Sequence, residues 1–408
     1  MTKTAALDAR DPLRDFRDRF KIPPGLIYLD GNSLGPLPLA TIERVKHTVE
    51  QEWGVGLIRS WNDAGWISAS ERIGDKIAQL IGAEPGEVIV CDSTSVNLFK
   101  LLTAGLQLQS DRHVVLSQEG NFPTDLYVAE GAVEILGGDR RVVAITRDEL
   151  LGNLDEDVAI LYLTQVDYRT GEILDLDSLT SAAHDVGALV LWDLSHSAGA
   201  VPVDLGAAGA DLAVGCTYKY LNGGPGAPAY LFVRKDLQSR LTNPVPGWFG
   251  HAAPFAMSPR YVPADGIRRF LSGTPPIVAM NALESGIDMW LEVDQEELRA
   301  KAIALTDLFI ELVSTFLDEF GMQIASPVDP ARRGNQVALR HPDAYRVCRA
   351  LIDRGVVGDF REPDILRLGF PPLYLRYEEV ATAAAHLESV LRDEAWRDER
   401  YSVREAVT

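Results

Sequence analysis

The chain has only three cysteines, Cys91, Cys216 and Cys348, widely separated and with no C-x-x-C pair. Such sparse, odd-numbered thiols exclude a disulfide framework and predict reduced, mostly buried side chains of a cytoplasmic protein. Its seven histidines occur singly, without H-E-x-x-H or similar spacing, so no metal site is expected. Positive charge is also short: 39 basic residues face 59 acidic ones, a net charge of −20. That field repels phosphate backbones and argues against a nucleic-acid partner. No apolar run approaches the length needed to span a membrane. The first residues, Met1 to Asp8, lack the apolar stretch of a signal peptide. Internal repeats, low-complexity tracts and flexible linkers are missing too.

What is present is an ordinary globular composition, 46% hydrophobic and 24% charged, in a chain of 408 residues. That length buries a large core and divides into two or so units. From Glu87 onward, short aliphatic runs alternate with helical stretches: Val88–Val90, Val114–Leu116, Val142–Ala144, Ala159–Leu163, Leu189–Leu191 and Leu212–Val214. This alternation predicts an α/β unit with a mostly parallel sheet. Tyr230–Val233 is expected to add an edge strand. Near the N-terminus, short helices are expected over Pro12–Phe20, Thr41–Trp53 and Ser68–Ile81. Pro244–Pro276 is a long irregular segment rich in Gly, Pro and aromatics, the kind of loop that tends to carry function. Ile277–Phe320 reads as one long helix leading to residues 321–395, where short strands and helices mix.

One lysine stands out. Ala210–Val214 is an apolar run that breaks at Gly215-Cys216-Thr217-Tyr218-Lys219-Tyr220 into the glycine-rich turn Leu221–Gly226. Upstream, Ala188–Trp192 ends in Asp193, followed by Leu194-Ser195-His196. Ligands of open α/β sheets bind beyond the carboxyl ends of the strands, where these two groups fall. Such a lysine is either solvated or an amine held in a pocket. A lysine and an aspartate so placed are what pyridoxal phosphate requires, one for the Schiff base and one to keep the pyridine nitrogen protonated.

The stretch from Trp192 through Gly226 resembles the kynureninases, enzymes of the aspartate-aminotransferase fold (fold type I), and is closer to their bacterial branch. The resemblance runs from Tyr28-Leu29-Asp30-Gly31-Asn32 to Arg367-Leu368-Gly369-Phe370-Pro371. It implies a large cofactor domain with a seven-stranded mixed sheet over residues 51–290. It also implies a smaller α+β domain over 291–408, packed with an N-terminal segment of residues 1–50.

Site residues follow by position. Asp92–Lys100 reads locally either as a Ser/Thr helix cap or as a phosphate site at a helix N-terminus; the resemblance implies that Thr94 and Ser95 bind the phosphate. Asn121–Asp125 reads locally as a turn and helix start. By resemblance Phe122 stacks on the cofactor ring, and Pro123, Thr124, Asp125 and Thr164 lie close to it. His196 is more often a satisfied histidine, but the resemblance sets it beside the cofactor. Tyr218 matches a phosphate-contacting tyrosine, and its reaching the same ligand as Lys219 requires a turn there. Trp248 and Thr274, otherwise loop residues, are implied to complete the phosphate site of a neighbouring subunit, so that the active site forms in a homodimer. Arg367, a lone charge in a strand, is either solvent-facing or the clamp for a substrate carboxylate. Trp61 is implied to shape the substrate pocket.

Two motif matches fail on context. Gly31-Asn32-Ser33-Leu34-Gly35 fits G-x-S-x-G, but Pro36 and Pro38 follow instead of a helix. Gly224–Ala229 fits a dinucleotide fingerprint but precedes a strand. The expected activity is therefore hydrolysis of L-kynurenine to anthranilate and L-alanine in tryptophan catabolism, with Lys219, Tyr218 and Asp193 as catalytic residues. The rival readings are a class V aminotransferase, a cysteine desulfurase, which needs an exposed catalytic cysteine, and a cofactor-dependent regulator.

Overall fold

Short aliphatic runs flanked by turns form strands because they are too short for helices and are covered on both faces. In the computed structural model, which describes residues 2–405, the first strand is β1 (Ile27–Tyr28). It is followed by β2 (Val88–Val90), β3 (Val114–Gln118), β4 (Arg141–Ile145), β5 (Val158–Thr164), β6 (Leu189–Asp193), β7 (Leu212–Gly215) and β8 (Tyr230–Val233). Strands β2 to β8 make one seven-stranded sheet in the order β2-β8-β7-β6-β5-β3-β4. The β4-β3-β5-β6-β7 block is parallel, while β8 runs antiparallel to both β7 and β2. Alternate residues of a strand enter opposite cores: Val190 and Trp192 on one face, Leu189 and Leu191 on the other. Burial on both faces is why these strands read as continuous apolar runs.

Tyr230–Val233 is not the edge strand expected from sequence. The chain turns back after Lys219 and pairs with β7, its sequence neighbour, and β2 then covers the other side and takes the edge. All four residues are buried.

The C-terminal part adds β9 (Gln323–Ile324), β10 (Gln336–Arg340), β11 (Val356–Val357), β12 (Asp359–Arg361) and β13 (Ile365–Gly369). Four of them form an antiparallel sheet, β12-β13-β10-β9. β11 instead pairs in parallel with β1, so residues 27–28 join the far end of the chain. The same stitch continues where the Gly369 N–H donates to Leu29 O at 2.7 Å.

The expected single helix over 277–320 is two, Ile277–Trp290 and Gln295–Val313. Asp294 starts the second by accepting from the N–H groups of Glu296 and Glu297 at 2.9 and 3.0 Å, a strong N-terminal stop-and-start signal. The helix Ile277–Trp290 is tied to the helix Ala69–Leu80 through Glu284. Arg72 holds its carboxylate with two bonds of 2.8 and 2.9 Å, and Lys76 adds a third at 2.8 Å. The helix expected over Thr41–Trp53 is α-helical only over Leu39–His47 and then widens to π-type turns over Thr48–Gly56. Pro12–Phe20 holds a short 3-10 stretch, Arg14–Arg19, instead of an α-helix.

Candidate functional site

Strands β5, β6 and β7 end side by side. Thr164 is the register partner of Asp193, and Asp193 that of Val214. Beyond Gly215 the chain leaves the sheet in the expected turn, and Asn222 in the left-handed region (φ 57°) helps close it. This turn carries Tyr218 and Lys219. Gly35 approaches it so closely that a Cβ there would meet Lys219 O at 2.2 Å, and the Gly35 N–H donates to Tyr218 O at 2.8 Å.

Lys219 Nζ lies 3.0 Å from His196 Nε2. His196 is buried, and burial, then the positive charges of Lys219, Arg367 and Arg361, push its protonation well below the usual range. Burial thus favours the neutral imidazole, with Nε2 facing the lysine amine. Its Nδ1 is buried and has no partner among the described residues. Asp193 is buried too, with Oδ1 fixed by the Ser195 N–H at 2.7 Å. Asp125 stands against it, its carboxyl raised first by burial and then by the Asp193 charge. Two buried carboxylates this close cannot both ionise freely.

Phe122 is 41% exposed and caps the helix Pro123–Leu136, with Pro123 and Thr124 in its first turn and Asp125 on its inner face. Thr164 Oγ1 lies 2.5 Å from Asn121 Oδ1 and 3.3 Å from Asp125 Oδ2. Thr94 and Ser95 open the helix Thr94–Leu108, whose N-cap is Ser93, accepting from the Val96 N–H at 3.4 Å. Capping by Ser93 leaves the hydroxyls of Thr94 and Ser95 without partners among the described residues. Behind them the wholly buried Lys100 bonds Asp92 Oδ2 at 2.6 Å and Phe270 O at 2.7 Å.

Arg367 differs from its solvent-facing reading: it is 1% exposed. On β13 it sits opposite Asp359 of β12 and is bound by it through Nε at 2.8 Å and Nη2 at 2.5 Å. Ser33 and the Tyr168 carbonyl take further N–H groups at 2.8 and 2.5 Å. The amide oxygen of Asn32, turned to satisfy both groups, also accepts from it. Asn32, Ser33, Asn121, Tyr168, Asp359 and Arg361 were not singled out from sequence as site residues. The discarded G-x-S-x-G match contains two of them.

Trp61, Trp248 and Thr274 form a separate group. Trp61 meets Phe249 at 5.9 Å between ring centres, and Phe249 meets Trp248 at 4.9 Å. The Phe249 N–H donates to Ser272 O at 3.2 Å, which brings the Thr274 segment alongside. Among the described residues no hydrogen bond or ring contact joins the three to Lys219, Asp193 or His196. Thr274 is exposed, and Trp248 is 37% exposed. A mostly apolar cavity of about 710 Å³ lies behind the Lys219 turn against Gly35, Gly224 and Ile277, and Lys219 does not line it.

The chain is 49% identical over 409 residues to a kynureninase of Pseudomonas fluorescens, an alignment covering 99% of this chain and 98% of that one. A kynureninase of Burkholderia pseudomallei (strain 1106a) is likewise 49% identical over 408 residues, with the same coverage. The chain belongs to the kynureninase family. A model of the kynureninase C-terminal domain matches residues 298–387, which include β10 to β13. Kynureninase-family membership fits the architecture shared with solved structures at low identity. A cysteine desulfurase from Thermococcus onnurineus NA1 superposes with a TM-score of 0.77 at 19% identity, covering 93% of this chain and 98% of that one. One from Escherichia coli gives 0.78 at 16% identity with the same coverage. The shared fold is the fold type I architecture expected from sequence. All three cysteines here are buried, so the exposed nucleophile a desulfurase needs is missing among the described residues.

Proposed function

We propose that this protein is a pyridoxal-phosphate enzyme that hydrolyses L-kynurenine to anthranilate and L-alanine. The observation that carries this is Lys219 Nζ at 3.0 Å from a buried, neutral His196, beside Asp193 at adjoining strand ends. It occurs in a chain 49% identical to kynureninases over nearly its full length. The residues present fit the cofactor. A buried carboxylate is available for a ring nitrogen, an unpartnered His196 Nδ1 for a polar substituent, and the free hydroxyls of Thr94 and Ser95 at a helix N-terminus for a phosphate.

When bound, the cofactor supplies an electron sink for the bonds at Cα and Cβ. The protein's own groups do the rest. Lys219 holds the cofactor, then takes and returns the proton at Cα. Its amine shares a hydrogen bond with His196 Nε2, which orients it. Asp193 would hold the proton on the ring nitrogen, beside Asp125, whose carboxyl burial raises. Phe122, with Pro123, Thr124 and Thr164 nearby, would offer the ring an aromatic face. Tyr218 moves protons at the cleaved bond, where water adds to the γ-carbonyl and the Cβ–Cγ bond breaks.

The enzyme works as a cytoplasmic homodimer in this reading. Trp248 and Thr274 reach the partner's phosphate site, and Trp61 shapes a pocket that prefers kynurenine to its 3-hydroxylated form. Supporting this, Trp61 and Trp248 share one aromatic cluster that makes no hydrogen bond or ring contact to the chain's own Lys219 among the described residues. The chain segments around Trp61 and Trp248 also expose apolar side chains: Trp53 (58%), Ile58 (77%) and Met257 (74%).

Anthranilate fluorescence tests the proposal, with cofactor-loaded protein and L-kynurenine, and with 3-hydroxykynurenine alongside. Rapid release from kynurenine is expected, and Lys219→Ala is expected to abolish it without loss of the fold. Turnover by Lys219→Ala would sink the scheme.

A further inference from the structure

We infer that Arg361 is a substrate-carboxylate residue that works beside Arg367, with Ser33 and Asp359 holding both guanidinium groups in place. The inference rests on the amino-acid substrate proposed above. From sequence only Arg367 is expected in this role.

The geometry shows why one arginine is not enough. Arg367 commits its Nε and both Nη2 hydrogens to Asp359 and Ser33, and one Nη1 hydrogen to Tyr168 O. A guanidinium has five N–H groups, so a single Nη1 N–H remains, and the bidentate face is already filled by Asp359. Arg361 is placed differently. Its Nη2 is held by Asp359 Oδ2 at 2.7 Å and by Ser33 Oγ at 3.1 Å. Nη1 reaches only Phe360 O, at 3.4 Å, and Nε is buried with no partner among the described residues. Its side chain is 35% exposed against 1% for Arg367. Arg361 is therefore the guanidinium with donors to spare and an open approach.

Charge points the same way. Two guanidiniums share one carboxylate, Asp359, which they keep ionised against its burial. The next carboxyl, Asp30, is pushed up to about 7 by burial and by Asp359. Near neutral pH the cluster thus keeps a surplus of positive charge, the condition an anionic ligand satisfies. The cluster also borders the lysine site. Arg361's charge acts on His196, Tyr168 and Tyr218, and the Tyr168 ring meets Phe122 edge-on at 5.1 Å. One N–H from each arginine then meets the carboxylate, in place of a single two-pronged clamp.

The holoenzyme tests this with two ligand pairs: L-kynurenine against its carboxamide in turnover, and L-alanine against L-alaninamide in perturbing the cofactor absorbance. Wild type should prefer the acid in both. Arg361→Gln should raise KM for kynurenine about 10- to 100-fold, the range of a lost charge-assisted bond, with little change in kcat. It should also collapse the acid-over-amide preference. Arg361→Lys should restore part of that preference, while cofactor affinity and Tm stay near wild type in both variants. An acid-over-amide preference left intact in Arg361→Gln would overturn the inference and leave Arg361 a structural partner of Asp359. If wild type releases no anthranilate, the kynurenine reading fails, and the alanine pair still decides the role of Arg361.

Discussion

At the scale of single residues, the site depends on burial deciding which groups carry charge. His196 stays neutral and Asp125 is driven toward its protonated form, which leaves Asp193 as the natural partner for a ring nitrogen. Replacing Asp193 by Asn keeps the shape and removes the anion. We expect kcat to fall about 10²- to 10³-fold, the cost of losing one preorganised electrostatic partner. Pre-steady-state kinetics with L-kynurenine measures it, and an unchanged rate would remove Asp193 from the mechanism.

Among elements, the link between the helices Ala69–Leu80 and Ile277–Trp290 is open to test through Glu284. Burial alone would raise its carboxyl, but the bonds from Arg72 and Lys76 outweigh that and pull it from 4.5 down to about 2. A depressed carboxyl contributes stability that is present above its unfolded pKa and lost as pH falls through the folded one. Wild type should therefore lose stability between about pH 4.5 and pH 2 through this group. Glu284→Gln should be less stable at neutral pH by about 1–2 kcal/mol, after discounting for partial exposure. Its stability should also depend less on pH in that window, as read by denaturant titration at several pH values.

Elements built from local pattern were legible in the sequence. The aliphatic runs of β2 to β8, and the break at Gly215 that presents Lys219, follow from residues adjacent in the chain. The break between the helices at Asp294 was hidden because Leu291 and Val293 continue the apolar pattern across it. The edge position of β2 was hidden because strand order depends on which neighbour pairs first, and composition does not encode that. The arginine cluster was hidden for a different reason. Ser33 and Arg367 are 334 residues apart, and nothing around either one names the other. The resemblance to kynureninases pointed to Arg367, but its binding by Asp359 and the more open Arg361 emerge only when β12 and β13 lie side by side.

For the whole molecule, the lack of any hydrogen bond or ring contact between Trp248 and the chain's own Lys219, together with the proposed homodimer, predicts complementation between subunits. If the protein is the homodimer proposed above, Lys219→Ala and Trp248→Ala should each be impaired alone, the first to no turnover. Unfolded together and refolded as a mixture, they should recover roughly a quarter of wild-type activity, because half the dimers are mixed and each mixed dimer has one intact site. If each site is built from a single chain, mixing recovers nothing beyond the average of the two. Activity of the refolded mixture decides between them.

The pairing of β1 with β11, and of Leu29 with Gly369, also has a consequence in time. Synthesis at about 5–20 residues per second separates Ser33 from Arg367, 334 residues later, by roughly 17–70 s. For most of that interval Leu29, Asn32 and Ser33 wait without the strands that will hold them. That segment is thus made long before the strands that fix its place. A chain cut short before Asp359 still carries every strand of the large sheet and Lys219, yet it lacks both guanidinium groups of the carboxylate cluster.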